Sequence, residues 1–240
     1  MELTSNMKER RMRASKVILS IGGGGFTHGT YPELDDICLR FSPLKPNIGY
    51  VGWANEDDEK RIGDFYARFE PLAGSMSHLP LGATSEHTRA WLADMKMVYF
   101  SGGNTACLVT AILANQSLSA FLTANRSGCV LAGVSAGGVC WFDWILSDYK
   151  GSGYEPLQGL SAVSGGICPH YSSEPARKPK LEELVSGQVS QPVYAVDDGA
   201  CLVAIDGQVD GYFSAHSDRA AYRLNIKDQS VLTSRLPPFA

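Results

Sequence analysis

Residues 131–139 read LAGVSAGGV. An apolar run leads into Ser135, which stands between Gly133 and Gly137, and small residues follow. A turn from a strand into a helix that carries a nucleophile is tight. It needs residues with almost no side chain on both sides of the serine, and Gly133, Ala136, Gly137 and Gly138 supply them. Such a turn lifts the hydroxyl off the sheet and sets the N–H of Ala136 beside it as an oxyanion donor. The same glycines would also suit a plain tight turn. The histidine that serves Ser135 decides between fold classes, and there are five.

Working outward, the first half of the chain alternates short apolar runs with amphipathic stretches. Strands are expected at 16–21, 47–51, 75–79, 97–100 and 129–132. A helix over 56–70 would bury Ile62, Phe65, Tyr66 and Phe69 on one face. A shorter helix over 85–94 has Ser85 as its N-cap, and a longer helical stretch reaches Arg126 with a break near Asn115. Strand–helix alternation predicts a mostly parallel sheet with helices on both faces, whose sites lie at the carboxyl ends of the strands. Three glycine loops fall at such ends: 22–25, 102–103 and 133–138. After a helix near 181–186, apolar runs at 193–196, 200–205 and 208–213 flank an Asp206-Gly207 hairpin signal, so the sheet should end in antiparallel strands.

The bulk composition sets bounds. The chain of 240 residues, with 44% hydrophobic and 19% charged residues, suits one soluble domain over 1–240 that needs no disulfide or metal to hold it. A net charge of −4 argues against a nucleic-acid or anionic-membrane partner. The six cysteines form no C-x-x-C pair and lie mostly in apolar stretches, so buried free thiols in a reducing, cytoplasmic setting are expected and a zinc site is not. Residues 1–14 read as a short frayed leader, because the apolar run after the basic stretch is too short for a secretion signal. The glycines at 22–25 miss the G-x-G-x-x-G spacing of a dinucleotide loop, so no cofactor is expected.

Two partner sets compete for Ser135. The order serine, acid, late histidine of an α/β-hydrolase esterase is met by Ser135, Asp198 and His216. The other set uses His170, in Cys168-Pro169-His170-Tyr171, with Asp148 between the two. Spacing leaves both open.

Several ordered stretches resemble one family. They are FSGGNT (100–105), AGVSAGG (132–138), CWFDWILSDY (140–149), GLSAVSGGICPHYSSEPAR (159–177) and VDDGACLVAIDG (196–207). Together they resemble the dipeptidase E (peptidase E) family of serine peptidases, which also contains cyanophycinase. The resemblance implies a three-layer α/β fold of the class I glutamine-amidotransferase-like, flavodoxin-like kind. It implies an exopeptidase or dipeptidase acting on short peptides near the N-terminus, through an acyl-enzyme and without metal or cofactor. Carried over by position, it gives Ser135 as nucleophile, His170 as general base and Asp148 as the orienting acid, with Asp198 and Glu174 as alternatives. Gly103 and Ala136 would form the oxyanion hole. Asn104, Glu174 and Arg177 would bind substrate, Arg177 at a carboxylate and Glu174 at the N-terminal ammonium or paired with Arg177. The loop after His170 is short and offers only Arg177, Lys178 and Lys180, which weakens the expectation of strict Asp-X specificity. A homodimer and a catalytically silent binding protein of the same fold are further readings.

Overall fold

The computed structural model describes residues 16–187, 192–227 and 230–239. The expected leader over 1–14 lies outside the described residues. Strand β1 (Val17–Ile21) is followed by the short helix α1 (Gly25–His28) and by α2 (Glu33–Leu39). Next come β2 (Asn47–Val51), α3 (Glu59–Phe69), β3 (Ser75–His78), α4 (Ser85–Leu92), β4 (Met97–Phe100), α5 (Thr105–Ala114), α6 (Leu118–Arg126) and β5 (Val130–Val134). Ser135 then leads into α7 (Ala136–Val139). The remainder runs β6 (Phe142–Ser147), β7 (Glu155–Gln158), β8 (Val163–Cys168), α8 (Arg177–Ser186), β9 (Val193–Val196), β10 (Ala200–Ile205), β11 (Gln208–Ser214), β12 (Ala221–Lys227) and β13 (Ser230–Arg235).

The first sheet has the order β11-β10-β1-β5-β4-β2-β3. Its five strands from β1 to β3 are parallel, and β10 and β11 are antiparallel additions at one edge. This is the mostly parallel sheet with antiparallel C-terminal strands that the sequence pattern predicts. Alternation of side chains gives it two apolar faces. Leu19, Tyr99 and Ala132 pack with Leu34 and Ile37 of α2 and Phe65 and Phe69 of α3. Ile18, Val98 and Leu131 pack on the other face with Leu108 and Ile112 of α5 and Phe121 of α6.

A second sheet, β13-β12-β9-β8-β6-β7, adds to the expected architecture. Its Phe142, Ile145, Val163 and Ile167 join the core on the α5–α6 side. Its opposite face is covered by Leu181 and Val185 of α8. The run FDWILS alternates too weakly to read as a strand, because β6 is buried on both faces near its end.

Several boundaries shift for local reasons. Glu56 and Asp57 both take left-handed φ (58° and 57°), so α3 begins only after Asp58, whose carboxylate accepts the Arg61 N–H at 2.9 Å. Thr84, not Ser85, caps α4, its hydroxyl accepting the His87 N–H at 3.1 Å. The long helical stretch breaks at Gln116 (φ 52°) into α5 and α6, which cross at 91°. Asp206 and Gly207 take φ of 52° and 81°, the pair of positive values a two-residue hairpin of type I′ requires. No single helix among the described residues is long and apolar enough to cross a membrane.

One buried ion pair ties the glycine loop after β1 to the sheet's flank. The Asp35 side chain is fully buried and accepts the Phe26 N–H at 2.9 Å and Arg68 Nε at 3.2 Å. Burial pushes the Asp35 carboxyl up to about 6, although the Arg68 charge and the Phe26 N–H pull the other way. An acid ionising near 3.8 when unfolded and about 6 when folded binds its proton more tightly in the folded chain. Its contribution to stability is therefore greatest below pH 3.8 and declines as pH rises to 6, by on the order of 3 kcal/mol. Relative to Asp35→Asn, the wild type should lose stability between pH 4 and pH 7. Urea melts of both proteins at the two pH values check this, and equal shifts in the two would contradict it.

Candidate active site

Ser135 sits at the carboxyl end of β5 with φ 48° and ψ −121°, a strained backbone for a residue with a Cβ. Close packing holds it there. A Cβ on Gly137 would lie 2.2 Å from the Phe100 carbonyl oxygen, and one on Gly133 would lie 2.5 Å from the Gly137 carbonyl. A Cβ on Gly138 would meet the Gly133 oxygen at 2.6 Å. The glycines thus let α7 lie directly on the backbones of β4 and β5. The Ser135 N–H is fixed by the Ile21 carbonyl at 2.9 Å. Ser20 Oγ donates to the Gly138 carbonyl at 2.6 Å.

His170 follows β8, in the second sheet, and also takes a left-handed φ of 54°. Its Nε2 lies 2.8 Å from Ser135 Oγ. Its Nδ1 lies 2.6 Å from Asp198 Oδ1. Burial pushes the Asp198 carboxyl upward, but the His170 hydrogen bond and charge pull harder, and the net is below its ordinary value. An ionised carboxylate only accepts, so His170 Nδ1 carries the proton and Nε2 accepts from the Ser135 hydroxyl. That tautomer suits a base that removes the serine proton.

Asp198 occupies the three-residue passage from β9 to β10. The passage is clamped by Asp197 N–H to the Ala220 carbonyl (3.0 Å) and by Gly199 N–H to the Gly23 carbonyl (2.8 Å). Gly23 and Asp198 form an isolated parallel bridge. A Cβ on Gly23 would lie 2.0 Å from Asp198 Oδ1 and 2.8 Å from His170 Nδ1. The glycine loop after β1 therefore makes room for the acid–histidine pair.

The chain compared with known proteins matches the model of "Peptidase family S51" over residues 18–211. The chain belongs to peptidase family S51. It is 33% identical over 226 residues to the "Uncharacterized peptidase YgaJ" of Bacillus subtilis (strain 168), covering 92% of this chain and 97% of that one. Two solved structures share the fold. A peptidase from an acI-B1 Actinobacterium has a TM-score of 0.64 at 17% identity, covering 93% of this chain and 95% of its own. A putative peptidase E protein from Listeria monocytogenes EGD-e has a TM-score of 0.61 at 15% identity, covering 93% of this chain and all of its own.

In this S51 chain the structure brings Ser135 and His170 together and puts Asp198, not Asp148, against the imidazole. Asp148 lies in the turn after β6 with a side chain 65% exposed, its carboxylate 3.9 Å from Arg177 Nη2. The physical reason is that β9, not β6, is the neighbour of β8 from which the chain crosses back to the first sheet, and that crossing pairs Asp198 with Gly23 beside His170. The alternative pairing of Asp198 with His216 is also replaced, since Asp198 faces His170 and the His216 ring packs edge-on against Tyr31.

The expected substrate contacts divide. Arg177 is buried, donates to the Leu146 carbonyl (2.8 Å) and to Glu174 Oε2 (2.7 Å), and covers the Tyr154 ring. It is a structural cation, not an open carboxylate receptor. Glu174 is held by Arg177 and by Tyr154 Oη at 2.8 Å, and these bonds lower its carboxyl against the upward push of burial. Asn104 uses Oδ1 to cap α5, accepting the Ala106 and Cys107 N–H groups at 2.9 and 3.1 Å. Gly103 takes φ 143° and packs on the Ala54 carbonyl, while a Cβ on Gly102 would lie 3.6 Å from Ser135 Cβ. The 102–103 loop thus passes beside the serine. Ala136 opens α7, where the first N–H groups have no partner inside the helix.

Sequence reasoning missed the part played by Gly23 and by His28, whose ring meets the His170 ring edge-on at 6.0 Å. Replacement of Gly23 by alanine should break the Asp198–His170 hydrogen bond while the fold survives, because the added methyl meets side-chain ends and not backbone. The low-field proton resonance of His170 Nδ1–H in wild type should vanish in Gly23→Ala and in Asp198→Asn, with circular dichroism unchanged. Persistence of that resonance in both variants would contradict the pairing.

Proposed function

We propose that this S51 peptidase is a serine peptidase that hydrolyses short peptides through a Ser135–His170–Asp198 triad. The observation that carries the reading is the unbroken chain of contacts from Asp198 Oδ1 through His170 to Ser135 Oγ, at 2.6 and 2.8 Å. Its location on a strained turn at the carboxyl end of a parallel strand supports it further.

The steps follow from the groups present. Ser135 Oγ attacks the scissile carbonyl carbon as its proton passes to His170 Nε2. Asp198 keeps the imidazole in the right tautomer and stabilises the imidazolium that forms. The carbonyl oxygen becomes an oxyanion near the N–H groups of Ala136 and Gly103, and removing one such donor typically costs about 3 kcal/mol. The C–N bond breaks as the imidazolium returns its proton to the leaving amine, leaving an ester on Ser135. Water, deprotonated by His170, then attacks the ester. The acid product leaves, and the proton returns to Ser135. Six free thiols among the described residues suit a reducing, cytoplasmic setting for this chemistry.

Ser135→Ala should abolish labelling by a fluorophosphonate probe and all turnover of a dipeptide and tripeptide library read by mass spectrometry. Asp198→Asn should lower kcat by about 10³- to 10⁴-fold, because the neutral amide favours the wrong tautomer. Asp148→Asn should stay within about twofold of wild type, since exposed charges contribute little. A loss at Asp148 with retention at Asp198 would reverse the assignment.

A further inference from the structure

Hydrolysis of short peptides needs some means of recognising their ends, and the expected group for a carboxylate, Arg177, is buried and already bonded to Glu174 and the Leu146 carbonyl. A different cation, Arg61, is without an ion pair among the described residues. Beside the triad, the loop of α1 and the face of α3 enclose a cleft of about 530 Å³, lined by Phe26, His28, Lys60, Arg61 and Asp64 among others. That volume is within the range of small-molecule sites and larger than one amino-acid residue.

The charges in this cleft are not balanced. Lys60 Nζ pairs with Asp64 Oδ2 at 2.7 Å, which neutralises both. Asp58 meets Arg61 only through the backbone N–H. Arg61 is half-buried as a residue, and its guanidinium has no ion pair or side-chain hydrogen bond among the described residues. Arg219, another arginine near the triad, faces Asp218 at 3.5 Å. His28 Nδ1 accepts the Gly24 N–H at 2.8 Å, so the neutral ring carries its proton on Nε2 as a second donor. Partial desolvation of the ring and the repulsion of His170 hold His28 below the usual histidine value, with Asp198 pulling the other way. A neutral His28 adds a donor without opposing the positive charge that His170 takes up.

Position links the cleft to one side of the scissile bond. The leaving amine must reach His170 Nε2 to collect its proton, so the residue after the scissile bond lies along the flank of His170. The His28 ring borders His170 on one side and lines the cleft on the other. The Gly103 loop and Ala136 belong to the acyl side.

We propose that Arg61, assisted by His28, binds the free α-carboxylate of the amino acid released as the leaving group, so that the enzyme selects peptides ending one residue after the scissile bond. This rests on the serine-peptidase reading of Ser135 and His170. Bidentate guanidinium–carboxylate pairing has the geometry and strength for such selection.

The test uses full-length protein and a panel of X–Ala dipeptides, the matched X–Ala amides and X–Asp amides, with X each of the twenty amino acids. For whichever X is cleaved, wild type should favour the free acid over the amide in kcat/KM by about 10- to 100-fold, the range of one hydrogen-bonded charge. In Arg61→Ala that ratio should fall towards one, and Arg61→Lys should restore part of it. Equal cleavage of acid and amide by wild type, or an unchanged ratio in Arg61→Ala, overturns the proposal. An Arg61-dependent preference for X–Asp amides without one for X–Ala acids also overturns it, in favour of a side-chain carboxylate. Binding separates this from failure of the triad reading. Calorimetric titration of Ser135→Ala with the same acids and amides should show the same preference, lost in Ser135→Ala/Arg61→Ala. If wild type neither turns over nor is labelled at Ser135, the triad reading falls, while the titration alone still upholds or overturns the carboxylate site.

Discussion

The site depends on how closely helix α7 approaches the backbone of the sheet. Contact between Gly137 and the Phe100 carbonyl, and between Gly138 and Gly133, leaves no space for a single methyl group. That approach forces Ser135 into a conformation costing on the order of 1–3 kcal/mol. The strain persists because β1 grips the serine N–H and the two apolar faces of the sheet fix β4 and β5 in register. The hydroxyl is thereby presented above the sheet, where the other two members of the chain of contacts come to meet it.

Those members come from elsewhere. Ser135 ends a strand of the first sheet. His170 follows a strand of the second, and Asp198 lies where the chain crosses from the second sheet back to the first. The glycine loop after β1 completes the arrangement by yielding space at Gly23 and by offering His28 to the flank of His170. Asp35 and Arg68 in turn hold that loop against α2 and α3.

This division explains what was legible in the sequence. The serine turn and the alternating strands and helices are local patterns, and they read correctly. His170 was legible through the likeness of its surrounding segment to a known family. The acid was not, because its choice depends on tertiary position alone. Asp148 and Asp198 each follow a strand of the second sheet, β6 and β9, and only the order β9-β8-β6 with the crossing to β10 separates them. One signal was present. Four glycines at 22–25 exceed what a turn needs, and Gly23 faces the true partner of His170. Arg177 misled for the opposite reason. A basic residue shortly after a histidine motif reads as exposed, yet it is buried against the Tyr154 ring and bonded to Leu146 and Glu174.

The passage between Val196 and Ala200 has a consequence for how the gene could be altered. Its three residues join two sheets, carry the acid that faces His170 and pair with Gly23, so the chain has no slack there. The turn at Lys150–Gly153 is mostly exposed and lies outside both cores. Added length is accommodated at such a tip by looping into solvent. Between Val196 and Ala200, one inserted residue would move Asp198 out of line with His170 while leaving both sheets intact. Length can thus be added at the rims of this architecture, while the splice between its sheets works only at a fixed count.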